Sequence, residues 1–197
     1  MTTVEESITP HEDVIVKEWE AYPMRRPYIA KVIVDMCTGG GEPLKRAATI
    51  LEMLTGQKPV QSRAKQTIRD FGIRKKEPIA VRVTLRHERA VEFLKRALQA
   101  KDNILLVKNW DEDGNFAFGI KEHIDIPGVK YDPQLGIQGM NITVVIERPG
   151  FRVKRRRRRK AKVPWRHRLT PEESMVFMKR EFGVEIVEKE RERTYLF

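Results

Sequence analysis

The residues of this chain best suited to chemistry are cations crowded into one short stretch. Residues 152–168 contain eleven Lys and Arg (Arg152, Lys154, Arg155, Arg156, Arg157, Arg158, Arg159, Lys160, Lys162, Arg166 and Arg168), with His167 among them and no Asp or Glu. The 197-residue chain carries 39 basic and 28 acidic residues, a net charge of +11; without this stretch it is formally neutral. Guanidinium groups at that density repel one another, so folding does not call for them. They suit phosphate oxygens, which accept two parallel N–H bonds from each fork. A polyanion is the implied partner, nucleic acid before any other. The bland reading is a solvated charged loop, and the five consecutive arginines 155–159 argue against it. The same residues also read as a nuclear-targeting signal. Trp165 either stacks on a base or plugs a small apolar site. With little apolar content, the stretch is expected to become ordered only when bound.

A second basic segment is quieter. Residues 62–78 carry Arg63, Lys65, Arg69, Arg74, Lys75 and Lys76, with Phe71-Gly72 at the centre. Either it is a floppy connection, or it is functional, as structureless loops of this length in compact domains usually are. A basic loop with one central aromatic suits a nucleic-acid backbone.

Gly39-Gly40-Gly41 lies where a strand gives way to a helix, a place where small residues let a phosphate approach backbone N–H groups. A triphosphate-binding loop needs Gly-Lys-Ser/Thr after its last glycine, and here Glu42-Pro43 follows. The bland reading is a flexible turn; contact with an RNA backbone is the intermediate one. His11, His87, His123 and His167 show no metal-ligand spacing, and no carboxylate pair sits in a hydrolase pattern. Cys37 is the sole cysteine, so neither an intramolecular disulfide nor a Cys-rich zinc site can form, which fits a reducing cytosol. No catalytic residue, metal or cofactor is expected.

These groups need elements to position them. Alternation over residues 28–36 and 79–85 predicts strands with Val32, Val34, Met36, Val81, Val83 and Leu85 on one face. A third strand is expected over 140–148, a short one near 58–61, and short strands around the Asp113-Gly114 turn. Helical spacing predicts helices over about 43–54 and 87–100, the first stopped by Gly56. A helix after Thr170 is announced by Pro171 and the Thr170–Glu173 capping box, with Gly183 as its end and a final edge strand over 184–187. Few helices intervene between strands, which argues for an α+β fold: a mainly antiparallel sheet with helices on one face and long basic loops. Lys31, Arg82, Thr84, Asn141 and Thr143 would line the other face. The expected organisation is a mostly flexible tail over 1–20 with a short helix around Asp13–Trp19, one α+β domain over 21–187 including the basic extension 151–168, and a charged tail over 188–197. The N-terminus is acidic, without a secretory pattern, and apolar runs are too short to span a bilayer, so a cytosolic protein is expected. Membrane-surface binding through the cations has no amphipathic pattern to support it.

Specific strings then carry a resemblance. LTGQKPVQSRAKQTIRDFGIRKKEPIAVRVTLR, residues 54–86, closely resembles the signature region of the large-subunit ribosomal protein five family. DGNFAFGIKEHIDIPGVKYDP (113–133), GIQGMNITVVIERPG (136–150) and MRRPYIAKVIVDMCTGGGEP (24–43) are similar to its second signature, last core strand and first strand with turn. The resemblance covers about 24–187, and the basic extension looks archaeal or eukaryotic. At the first turn the chain departs from the family's common Asn and Gly-x-Gly. The resemblance implies the same α+β fold and a non-enzymatic role in the large subunit, in the cytoplasm. Family members anchor 5S rRNA in the central protuberance beside other ribosomal proteins, and a long loop reaches P-site tRNA. Carried onto this sequence, Thr38, Gly39, Gly40, Gly41, Gln57, Lys58 and Pro59 become 5S rRNA contacts. Lys65, Arg69, Phe71, Gly72, Arg74, Lys75 and Lys76 become the tRNA-facing finger, and the cationic stretch with His167 a general anchor in large-subunit rRNA. Two other classes stay open: a nucleotide-dependent or RNA-modifying enzyme using the glycine turn, and a generic cationic chaperone or DNA-compacting protein.

Overall fold

A computed structural model describes residues 5–188. The elements run α1 (Glu5–Ala21), β1 (Tyr28–Cys37), α2 (Glu42–Thr55), β2 (Val60–Arg63), β3 (Pro78–Leu85), α3 (His87–Gln99), β4 (Ile104–Leu106), β5 (Phe116–Ile120), β6 (Met140–Glu147), α4 (Arg152–Arg155), α5 (Pro171–Phe182) and β7 (Glu185–Val187), with short 3-10 turns between. Five strands form one sheet in the order β2-β3-β1-β6-β5, and β4 pairs with β7 in a separate ribbon. The fold is α+β with a mainly antiparallel sheet, as the strand and helix periodicities imply. The described residues divide into two compact units, Lys31–Ala100 with Ala117–Val144, and residues 5–30 with Lys101–Phe116 and residues 145–188.

In the first unit, period-2 patterning does the work. Val32, Val34 and Met36 of β1 and Val81, Val83 and Leu85 of β3 are buried, and β1 lies antiparallel to β3 with Val34 opposite Val83. A one-residue slip would turn every one of these side chains to the wrong face, so burial fixes the register. Met140, Ile142 and Val144 continue the buried face on β6. Helical stripes supply the rest of the core: Leu44, Ala47, Ile50, Leu51 and Leu54 from α2, and Ala90, Phe93, Leu94, Ala97 and Leu98 from α3. Gly56 ends α2 at φ +62°, its N–H donating to Glu52 O at 2.8 Å, a left-handed cap that glycine adopts without steric cost. Across the sheet's other face Asp35 pairs with Arg82, its direct neighbour on β3. His123 is buried in a 3-10 turn, and its Nδ1 accepts Gln138 N–H at 3.4 Å.

The second unit is organised by α5. Thr170 and Glu173 make both capping-box bonds, satisfying otherwise orphaned N–H groups. Ser174, Met175, Val176, Phe177 and Met178 are buried along α5, and Trp110 Nε1–H donates to Ser174 Oγ at 3.1 Å. The strand expected over 184–187 is present as β7, parallel to β4. Helix α1 occupies part of the segment expected to be a tail. Its Glu12 accepts from Lys179 Nζ at 2.9 Å; such a tertiary ion pair leaves no mark in the local sequence. The charged tail expected over 188–197 lies, apart from Glu188, outside the described residues.

Candidate nucleic-acid interface

The basic loop between β2 and β3 is built as a hairpin. β2 lies antiparallel to β3, with a register shift between Ser62 and Arg63. Beyond it the ladder continues through Ala64 N–H to Glu77 O at 2.8 Å and Lys76 N–H to Ala64 O at 2.9 Å. A second rung closes nearer the tip, where Ile68 and Ile73 exchange bonds of 2.9 and 3.0 Å. Arg69–Gly72 is a four-residue turn sealed by Gly72 N–H to Arg69 O at 3.0 Å, with Gly72 at φ +65°. Thr67 Oγ1 accepts Lys75 N–H, and Glu77 accepts Arg74 N–H at 2.8 Å. The finger is thus braced by main-chain rungs and not by a core. Phe71, 77% exposed, stands at its tip. Lys65, Arg69, Arg74, Lys75 and Lys76 are exposed, and none has an ion-pair partner among the described residues.

The glycine turn sits beside the base of this finger. Gly39 N–H donates to Ile79 O at 3.1 Å, and a Cβ on Gly40 would lie 3.2 Å from Glu77 Oε1. Gly39 and Gly41 have φ of +78° and +83°, so side chains at both would be strained. The Thr38 hydroxyl is enclosed without a hydrogen-bond partner among the described residues. Glu42 follows at the N-terminus of α2, and Lys45 bonds it at 2.6 Å. That hydrogen bond and the ammonium charge hold the Glu42 carboxyl below the ordinary range. With Glu42 and Glu77 flanking it, the turn suits a ribose hydroxyl or base amino group better than a phosphate. Gln57, Lys58 and Pro59 lead into β2, where Val60 lies opposite Arg82. Arg82 is four residues along β3 from the finger base at Pro78, roughly 14 Å at strand rise. The sheet therefore places the two 5S candidates at different points along β3. Hydrogen bonding to Asp35 raises the Arg82 pKa further, so its charge is permanent. This pair lies on the open sheet face, and the charge alternation of β1 and β3 was the signal for it.

The cationic stretch in the second unit has more architecture than its composition suggests. Residues 152–155 form the helical turn α4, and Ala161 N–H returns to Val153 O at 3.3 Å, closing a loop that carries Lys154–Lys160. Val163 and Leu169 are buried. These apolar pegs pin a segment expected to gain order only on binding. His167 acts internally: its Nε2–H donates to Pro149 O at 2.8 Å, and its ring stacks at a tilt on Phe151 at 6.0 Å. Arg155 pairs with Glu147, and Arg168 approaches Asp113 at 3.9 Å. Arg152, Lys154, Arg156, Arg157, Arg158, Arg159, Lys160, Lys162 and Arg166 are exposed, with no carboxylate partner among the described residues. Sequence reasoning missed Arg148, which is 2% exposed and donates to Glu173 and to Arg168 O. It thereby fastens the end of β6 to the capping box and to the trailing end of the cationic stretch. Among the described residues, no three His, Cys, Asp or Glu gather as a metal site, and no helix is long and apolar enough to cross a membrane.

A braced basic finger and a pinned cationic loop on an α+β frame define a protein of the RNA-binding class. Comparison with known proteins agrees: residues 22–74 match the family model described as Ribosomal protein L5, and residues 78–177 match the model of that ribosomal family's C-terminus. The chain is 57% identical over 175 residues to the large ribosomal subunit protein uL5 of Aeropyrum pernix, covering 88% of this chain and 91% of that one. It is 51% identical to the uL5 of Pyrobaculum aerophilum, with 89% and 97% covered, and 49% identical to that of Methanosphaera stadtmanae, with 83% and 98% covered. The chain belongs to the ribosomal protein L5 family in its archaeal form, a family of structural, non-enzymatic components of the ribosome.

Proposed function

We propose that this chain, a structural constituent of the large ribosomal subunit, binds 5S rRNA and helps attach it in the central protuberance, beside neighbouring ribosomal proteins, while its basic finger contacts P-site tRNA. The observation that carries the reading is the finger: a main-chain-braced hairpin whose cations have no ion-pair partner among the described residues, with an exposed aromatic at the tip. A contact that serves every tRNA must read shared features, the phosphate backbone and overall shape, and Lys and Arg do that without reading base edges. The turn Thr38–Gly41 and residues 57–59 act as 5S contacts through ribose hydroxyls and base edges. The cationic stretch adds sequence-independent, salt-sensitive affinity for large-subunit rRNA.

Purified full-length protein is expected to bind 5S rRNA more tightly than an unrelated structured RNA of equal length at moderate salt, by filter binding or calorimetry. Equal affinity for the two RNAs would sink the 5S assignment, and equal affinity for DNA would return the generic-cation reading. The finger is tested separately. In assembled ribosomes carrying a photoreactive residue in place of Phe71, crosslinks should go to P-site tRNA; crosslinks to rRNA alone would refute the tRNA contact.

A further inference from the structure

Trp165 is 75% exposed, yet its backbone is firmly held. It opens a 3-10 turn in which His167 N–H donates to Pro164 O and Arg168 N–H to Trp165 O, both at 3.0 Å. His167 ties the turn to Pro149, and the buried Val163 and Leu169 bracket it. Among the described residues the indole plugs no apolar site. The Arg166 guanidinium lies 5.4 Å from its ring centroid, a cation–π arrangement that orients the ring. A large aromatic surface is thus held in water on a rigid stem, a cost without return in the isolated protein.

We propose that Trp165 and Arg166 form a nucleobase-stacking site that takes an unpaired base of RNA, with nearby cations of the stretch holding the adjoining phosphates. Charge complementarity selects the occupant. Residues 152–168 carry no carboxylate, so a polyanion gains far more here than a neutral or basic protein surface. Among polyanions, one that presents a free aromatic face uses the indole as well as the cations. Every base has such a face, so the site reads unpairedness rather than sequence. The inference rests on RNA as the partner but not on which RNA, and so is separable from the 5S and tRNA assignments.

The test uses the full-length chain and three probes: an unstructured single-stranded RNA dodecamer, an RNA duplex of equal length, and a ribose-phosphate oligomer lacking bases. Trp165→Leu keeps an apolar side chain but removes the stacking face. It should weaken single-strand binding by about 5–150-fold. The slope of log affinity against log salt should not change, because no charge is lost. Binding of the duplex and of the baseless oligomer should be unaffected, and Trp165→Phe should restore most of the single-strand affinity. Unchanged single-strand affinity in Trp165→Leu would overturn the proposal, as would equal weakening on all three probes. A variant that binds the single strand normally but no longer joins large subunits would also overturn it, by marking Trp165 as a protein-docking residue. A chain that keeps its preference for 5S rRNA while Trp165→Leu changes nothing would sink this inference alone.

Discussion

Replacing Arg148 with alanine is expected to destabilise the protein by about 3–5 kcal/mol, the usual cost of breaking a buried ion pair from one side. Arg148 is 2% exposed, and its guanidinium serves the Glu173 carboxylate and the Arg168 carbonyl at once. Glu173 in turn accepts Thr170 N–H at 3.2 Å from the capping box. Without the arginine, a carboxylate whose side chain is 15% exposed loses its counter-charge, and a carbonyl loses its donor. At a few degrees per kcal/mol for a chain of this size, the melting temperature should fall by roughly 6–20 °C. The pair need not add net stability over an apolar substitute, so Arg148→Met with Glu173→Gln should recover part of the loss. Calorimetry on both variants decides: a shift under about 2 °C for Arg148→Ala would show that the pair is not desolvated as described.

Changing Arg156, Arg157, Arg158 and Arg159 together to serine should leave the melting temperature nearly unchanged but transform RNA binding. These side chains are exposed and have no carboxylate partner among the described residues. Each phosphate neutralised contributes about 0.7 to the log–log salt slope on single strands, so the slope should shrink by about 3. Affinity should drop by about 10²–10³-fold near 0.1 M salt, and the difference should fade toward 1 M. An unchanged slope would mean that these arginines do not touch the RNA backbone.

The two predictions concern residues of opposite visibility. The arginine run declares itself by composition, since no fold requires it. Arg148 stands in sequence beside Glu147 and Pro149, where nothing marks it as buried; its partners, the Arg168 carbonyl and Glu173, lie 20 and 25 residues further along the chain. The same divide runs through the fold. β1, β3, α2 and α3 are legible because one face of each is apolar at the right period, and the α5 cap is legible because its bonds are local. The finger is not. Its residues 64–77 are mostly polar, and its register rests on main-chain bonds and the Ile68–Ile73 rung, which leave no periodic trace. The parallel partner of β7 was hidden for a related reason, as β4 is distant in sequence. For the candidate interface, residue types pointed to a polyanion. Charge alone did not show that His167 also bonds Pro149 within the loop's own stem, or that the half-exposed Arg155 pairs with Glu147.

The closure of the cationic loop sets how the protein can vary. The segment leaves and re-enters at Val153 and Ala161, joined by one main-chain hydrogen bond, and its fixed points at Val163, His167 and Leu169 lie downstream. Chain added or removed between the two stems changes closure entropy by only about 0.6 kcal/mol per doubling of length. Reach into RNA can therefore be lengthened, trimmed or recharged almost independently of folding. Here the molecule can be retuned to a differently shaped ribosome without renegotiating its core.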